Sequence, residues 1–194
     1  MNRVYFLVAI LVSGLFACNN PKDNSSGKRA NEPHEEAAQF LSEAVSGGLM
    51  EVELGKLAQQ KAVEARVKTF GGMMIRDHTD AGEELKSLAA SKNIVVPETL
   101  VAKHQKQIDD LTKKNGVGFD KAYIKMMLKD HKDDIKKFEA AAKNSEDADL
   151  KALAAKILPV LRMHLDSAKA INRKVRASLD AGDITDGMET FPQR

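Results

Sequence analysis

The chain has 194 residues, of which 30 are Lys or Arg and 28 are Asp or Glu, leaving a net charge of +2. That length holds one domain with a sizeable core, and the even charge balance offers no basic surplus for nucleic acid. Trp is absent, extended β-branched runs are lacking and there is one Cys, which together argue against a sheet fold and exclude an internal disulfide or a multi-cysteine metal site.

The N-terminus has the layout of an export signal. Met1-Asn2-Arg3 carries one positive charge, Val4 to Phe16 is a short apolar stretch, and Ala17-Cys18 follows. The apolar run is short for a membrane span. Leu15-Phe16-Ala17-Cys18 reads as a bacterial lipobox, in which Cys18 becomes the first mature residue and its thiol carries lipid. The expected division is a signal peptide over 1–17 and a lipidated Cys18 with a flexible tether over 18–33. The helical domain then spans 34–182, and an unpatterned tail covers 183–194. The protein is expected to be held to a membrane by that lipid. Asn19, rather than Asp, after the cysteine favours the outer membrane, facing the periplasm.

Five helical segments follow, each with apolar residues three and four apart. The first starts near Glu32, with Phe40, Leu41, Ala44, Leu54 and Ala58 on its stripe. The second carries Val67, Phe70, Met74, Ala81, Leu85 and Leu88 and stops at Asn93. No Gly or Pro separates these two. A single helix of about 60 residues would be far longer than compact domains use, so a turn is expected near Ala62–Glu64. A shorter helix is expected from Pro97 to Asn115-Gly116, with Val101, Ile108 and Leu111. The fourth begins near Asp120 and carries Ile124, Met127, Ile135 and Phe138. The fifth begins at Ser145 or Asp147, contains Pro159, which is expected to bend it, and ends at Gly182.

Met73-Met74-Ile75-Arg76-Asp77-His78 in the second segment is matched by Met126-Met127-Leu128-Lys129-Asp130-His131 in the fourth. Two related hairpins joined by the short third helix make a four-helix bundle with one long connection.

Each long helix has one ionisable residue where its stripe calls for a hydrophobe: Glu51, His78, His131 and His164. With turns near residues 63 and 146, Glu51 and His78 stand roughly 12 and 15 residues from the first, and His131 and His164 roughly 15 and 18 from the second. At about 1.5 Å per residue the members of each pair differ in height by a turn or less. The four are therefore expected to meet in one layer. Buried Glu and His are costly unless paired or bound to metal. Three imidazoles and a carboxylate suit one transition-metal ion such as Zn, Fe, Mn or Cu. A metal-free hydrogen-bonded Glu–His network is the alternative. Six of the eight methionines lie within about a turn of this layer, where thioethers would favour copper or simply fill core gaps. His34 is expected in solvent and His104 at a boundary.

Four stretches carry a family resemblance. They are Glu51-Val52-Glu53-Leu54-Gly55-Lys56-Leu57-Ala58, Met74-Ile75-Arg76-Asp77-His78, Phe119-Asp120-Lys121-Ala122-Tyr123 with His131, and Leu158-Pro159-Val160-Leu161-Arg162-Met163-His164. They resemble a large bacterial family of envelope proteins, domain-of-unknown-function family 4142, from about Ala37 to Lys174. The resemblance implies a ferritin-like four-helix bundle and an envelope location, and brings no known activity. Where that family has Phe-Ala before its Met, this chain has Phe70-Gly71-Gly72, which is expected to loosen the second helix. Ile75, Leu128 and Leu161 stand three residues before the histidines, where di-iron carboxylate proteins need Glu. Asp77 and Asp130 adjoin the histidines but lie about 100° around the helix, toward solvent or a neighbouring helix.

The expected function is a tethered envelope bundle that holds one metal ion. The alternative is a non-catalytic structural or interaction module. No nucleophile triad, phosphate loop or HExxH motif points to an enzyme.

Overall fold

The computed structural model describes the backbone of residues 25–186 and the side chains of residues 34–177. The expectations for Cys18, the signal and the final residues lie outside the described residues. Among these there are five helices and no strand: α1 (Ser25–Lys61), α2 (Ala65–Ser91), α3 (Ala102–Thr112), α4 (Gly116–Asn144) and α5 (Ala148–Asp186). α1 packs chiefly on α2 and α4 on α5, so two helical hairpins form the bundle. No described helix is long and apolar enough to cross a membrane.

The two hairpin turns stand where the length and capping arguments put them, at residues 62–64 and 145–147. The first has an unusual source of specificity. Asp120, 1% exposed on α4, accepts from the backbone N–H of Val63 at 3.2 Å and of Glu64 at 2.9 Å. The break between α1 and α2 is thus held by a carboxylate far away in sequence, in place of a local Gly or Pro. Glu64 adds a local cap, its side chain accepting from Arg66 N. At the second turn Asp147 accepts from the amides of Asp149 and Leu150, both at 3.0 Å.

Several boundaries differ from expectation. α1 already begins at Ser25, ahead of Glu32, where Lys28-Arg29-Ala30 are good helix formers; it thus takes in the second half of the segment read as a tether. α5 runs past Gly182 to Asp186. α3 starts at Ala102, not Pro97, because the chain first runs in non-helical form from Ile94 to Val101. That run carries Ile94 and Val96 against one apolar cluster and Leu100 against the other, so non-helical backbone reaches from one cluster to the other. α4 starts at Gly116, whose φ of +55° suits glycine, before Asp120.

Gly71 has a different role from the loosening expected of it. A Cβ there would stand 2.8 Å from the Gly55 carbonyl oxygen and 2.9 Å from the Ala58 Cβ. A Cβ on Gly55 would meet the Gly71 carbonyl oxygen at 2.7 Å. Paired glycines let the backbones of α1 and α2 touch, which draws the hairpin tight.

The core falls into two apolar clusters. One includes Leu54 of α1, Met74 of α2, Met127 of α4 and Ala168 of α5. The other includes Val45, Leu85, Phe138 and Leu161 of the same four helices. In α2, α4 and α5 the ionisable residue lies between the members of the two clusters, and in α1 Glu51 stands next to Met50, where the cluster of Leu54 begins. A polar layer therefore crosses the bundle at one height.

Candidate metal centre

Glu51, His78, His131 and His164 are brought together in that layer, 2%, 7%, 0% and 0% exposed. The imidazole ring centres of His78, His131 and His164 lie 5.2–5.5 Å apart pairwise. Each ring offers one nitrogen to a common point, and those nitrogens lie within 4.8 Å of one another.

The partners of each ring favour one tautomer for it. His78 Nδ1 stands 3.1 Å from Glu51 Oε2; when Glu51 is ionised, Nδ1–H donates to it and Nε2 is bare. That bare Nε2 is buried without a partner. His131 Nδ1 faces two acceptors, the Met127 carbonyl oxygen at 3.1 Å and Glu51 Oε1 at 3.3 Å. The hydrogen bond goes to Met127, and Glu51 Oε1 is left without an aligned donor. His131 Nε2 is then bare. His164 Nε2 donates to Asp77 Oδ2 at 2.9 Å, which leaves its Nδ1 bare. The other Asp77 oxygen is held by Arg76 Nε at 2.8 Å. His131 Nε2 and His164 Nδ1 thus present two lone pairs to each other across 3.2 Å. Two lone pairs at that distance repel unless a metal cation or a ring proton sits between them, and a proton on His131 Nε2 would make this an N–H···N hydrogen bond.

Burial depresses the basicity of all three rings. His78 is held well below the usual histidine range by burial, then by its neighbours His131 and His164. His131 is pushed down to about 3 by burial and by His164, against a smaller rise from the Met127 carbonyl. Burial also lowers His164, while Asp77 pulls the other way. Glu51 is raised well above the carboxylate range by burial, with Asp134 and Asp130 adding repulsion. The rings are therefore neutral near pH 7, the form that ligates metal.

The arrangement can do one thing well. Zn²⁺ takes imidazole nitrogens at about 2.0–2.1 Å, which puts tetrahedral ligands about 3.3 Å apart. The His131–His164 pair already has that spacing. Each ring's remaining N–H has an acceptor on a neighbouring atom, the usual support of a ligating histidine. A cavity of about 30 Å³ beside the cluster is lined by Gly48, Glu51, His78, Asp134, Phe138 and His164. It has room for a water-sized fourth ligand. Phe70 meets the His164 ring edge-on at 6.3 Å.

Met50, Met74 and Met127 are buried in the apolar cluster, Met73 and Met126 pack against it, and Met163 is 45% exposed. For the first five this is gap-filling packing. His34 is exposed, its Nε2 3.2 Å from the Lys92 carbonyl oxygen. His104 lies away from the cluster, its Nδ1 2.9 Å from Ser46 Oγ. Asp77 does turn to a neighbouring helix, and there it orients His164. Sequence reasoning gave it no role; the signal was that each buried histidine needs an acceptor for its second nitrogen. Tyr123 was likewise unassigned: its hydroxyl is buried without a partner, and burial and Glu51 raise its pKa. Burial also pushes Asp134 up to about 6.

Residues 23–171 match the family model described as Domain of unknown function (DUF4142), which is most of the chain, and the chain belongs to that family. No curated protein matches. The fold is similar to the crystal structure of a DUF305 fragment from Deinococcus radiodurans, with a TM-score of 0.63 at 9% identity. The similarity covers 72% of this chain and 96% of that one. At that identity the likeness concerns the fold alone.

Proposed function

We propose that this member of the DUF4142 family is an envelope protein that holds a single transition-metal ion in the core of its bundle. His78 Nε2, His131 Nε2 and His164 Nδ1 are the ligands. Glu51 serves as the acceptor that orients His78 and lends negative charge, in place of the ligand role its position in the stripe suggested. The observation that carries the reading is the convergence of three buried imidazoles, each with one ring nitrogen against an oxygen acceptor and the other turned to the cluster. The metal-free alternative makes the 3.2 Å His131 Nε2–His164 Nδ1 contact an N–H···N hydrogen bond, with His131 Nδ1 then unprotonated toward Glu51. The zinc, iron, manganese and copper divalent ions all accept three imidazoles. No reaction is assigned.

The tether is part of the proposal. It rests on the lipobox ending at Cys18 and the polar stretch that follows. Intact mass spectrometry of membrane-extracted protein tests it: a mature chain starting at lipidated Cys18 supports it, and an unmodified Cys18 thiol contradicts it.

Calorimetric titration of the chelator-treated chain with Zn²⁺ tests the metal. One equivalent should bind the wild type and the His34→Ala variant, and His131→Ala should lose tight binding. Absence of stoichiometric uptake by the wild type would leave the layer as a structural Glu–His network and the protein as an interaction module.

A further inference from the structure

The His cluster is closed on most sides by apolar packing, so a cation needs a way in. A groove of about 380 Å³ opens between α1, α3 and α4, with Ser46, Met50, His104, Asp130, Asp133 and Asp134 among its lining residues. Asp134 lines both this groove and the small cavity beside Glu51, His78 and His164. It is the common wall of the two spaces.

The charges in the groove are unevenly matched. Lys129 is bonded to Asp133 at 2.8 Å, and Lys137 is paired with Glu43 at 3.2 Å. Among the described residues, neither Asp130 nor Asp134 has an ion-pair partner. Asp130 Oδ2 is buried without any hydrogen-bond partner. On the inner side, Glu51 Oε1 and His78 Nε2 are also unpartnered, on side chains 2% and 7% exposed. Lys103 also lines the groove, where its charge opposes the approach of a cation. Asp77 and Asp130 occupy matching places in the repeated hexapeptides, but Asp77 is spent on His164 while Asp130 stays free for this groove.

We infer that this groove is the loading port of the metal centre, and that Asp134 is the carboxylate that passes a divalent cation from the groove to the three histidines. The inference rests on the metal reading above. Asp130 draws the hydrated ion in, Asp134 replaces part of its water shell, and Glu51 receives it on the inner side. A carboxylate that ligates in passing lowers the barrier in both directions and leaves the final ligand set unchanged. Asp134 is thus a positioning residue for metal transfer and not a resident ligand.

The test is stopped-flow loading of the chelator-treated full chain with Co²⁺, read by the visible bands of imidazole-bound cobalt. Asp134→Asn should slow loading and chelator-driven release each by about tenfold, the scale on which local charge guides an ion's entry. Equilibrium affinity should stay within about threefold. Asp134→Glu should load at close to the wild-type rate, which separates a missing carboxylate from disturbed packing. Asp166→Asn, an exposed change elsewhere on α5, should have no effect. Wild-type loading rates in Asp134→Asn would overturn the port while leaving the metal centre intact. Loss of affinity with unchanged loading would make Asp134 a ligand and also overturn it. Equal slowing by Asp134→Glu would do the same. Absence of cobalt bands in the wild type would overturn the metal centre and the port together.

Discussion

The contact between α1 and α2 gives a stability prediction whose sign depends on geometry. In a helix interior, Gly→Ala is normally stabilising by about 1 kcal/mol, because alanine loses less backbone entropy. At Gly71 the added Cβ would meet the Gly55 carbonyl oxygen at 2.8 Å and the Ala58 Cβ at 2.9 Å. Neither is the end of a flexible side chain, so the helices must move apart. Overpacking of that kind costs about 1–3 kcal/mol. The net effect of Gly71→Ala is therefore a loss of about 1 kcal/mol, or roughly 2–4 °C in Tm for a chain of this length. Gly82, in the same helix, has nothing within 4 Å of its would-be Cβ. Gly82→Ala should gain up to about 1 kcal/mol. Thermal unfolding followed by circular dichroism, on both variants and the wild type, checks the pair. A rise in Tm for both would refute the close approach, and with it the tight hairpin that brings His78 to Glu51.

Asp120→Ala should destabilise the fold by about 2–3 kcal/mol in urea unfolding, since two backbone amides lose a charged acceptor, and Asp120→Asn by roughly half as much. Asp77→Ala should weaken Zn²⁺ binding by about 10–100-fold in a competition titration with a chelator, because His164 loses the acceptor that orients it. The metal-free protein should lose stability on acidification. His131 stays neutral down to about 3 when folded but takes up a proton near 6.5 when unfolded, so its contribution is whole above 6.5 and is lost as pH falls toward 3. Between pH 7 and pH 5 that amounts to about 2 kcal/mol. Glu51 acts in the opposite sense, since its raised pKa means a cost above its unfolded value of 4.5 that is relieved on protonation. Comparing wild type with His131→Asn in urea at both pH values isolates the histidine, and the variant should show the shallower acid loss.

The four long helices and the height of the polar layer were readable because both follow from periodicity and rise per residue. The hairpin turn at residues 62–64 was placed by length alone, since its determinant, Asp120, lies on another helix and leaves no local trace. The start of α3 was misplaced because Pro97 suits a helix start, while the contacts of Ile94, Val96 and Leu100 with the two clusters keep residues 94–101 out of a helix. Gly71 looked like a weakness because composition gives a glycine's local cost and says nothing about the partner backbone. Within the site, the four layer residues announced themselves as polar intruders in apolar stripes. Asp77 did not, since at 15% exposed it stands beside the stripe and its value appears only when His164 is seen opposite. The difference between Glu51 as ligand and as acceptor is likewise a matter of which atom faces which, and no pattern of residue types contains it.

X-ray absorption at the metal edge of the Zn²⁺-loaded chain tests the ligand set most directly. Three imidazole nitrogens at about 2.0–2.1 Å, with one further light atom and no sulfur, are the expected shell. His78→Ala, His131→Ala and His164→Ala should each remove one imidazole from it or prevent loading. A sulfur shell from methionine, an all-oxygen shell, or an unchanged spectrum in His131→Ala would contradict the three-histidine centre.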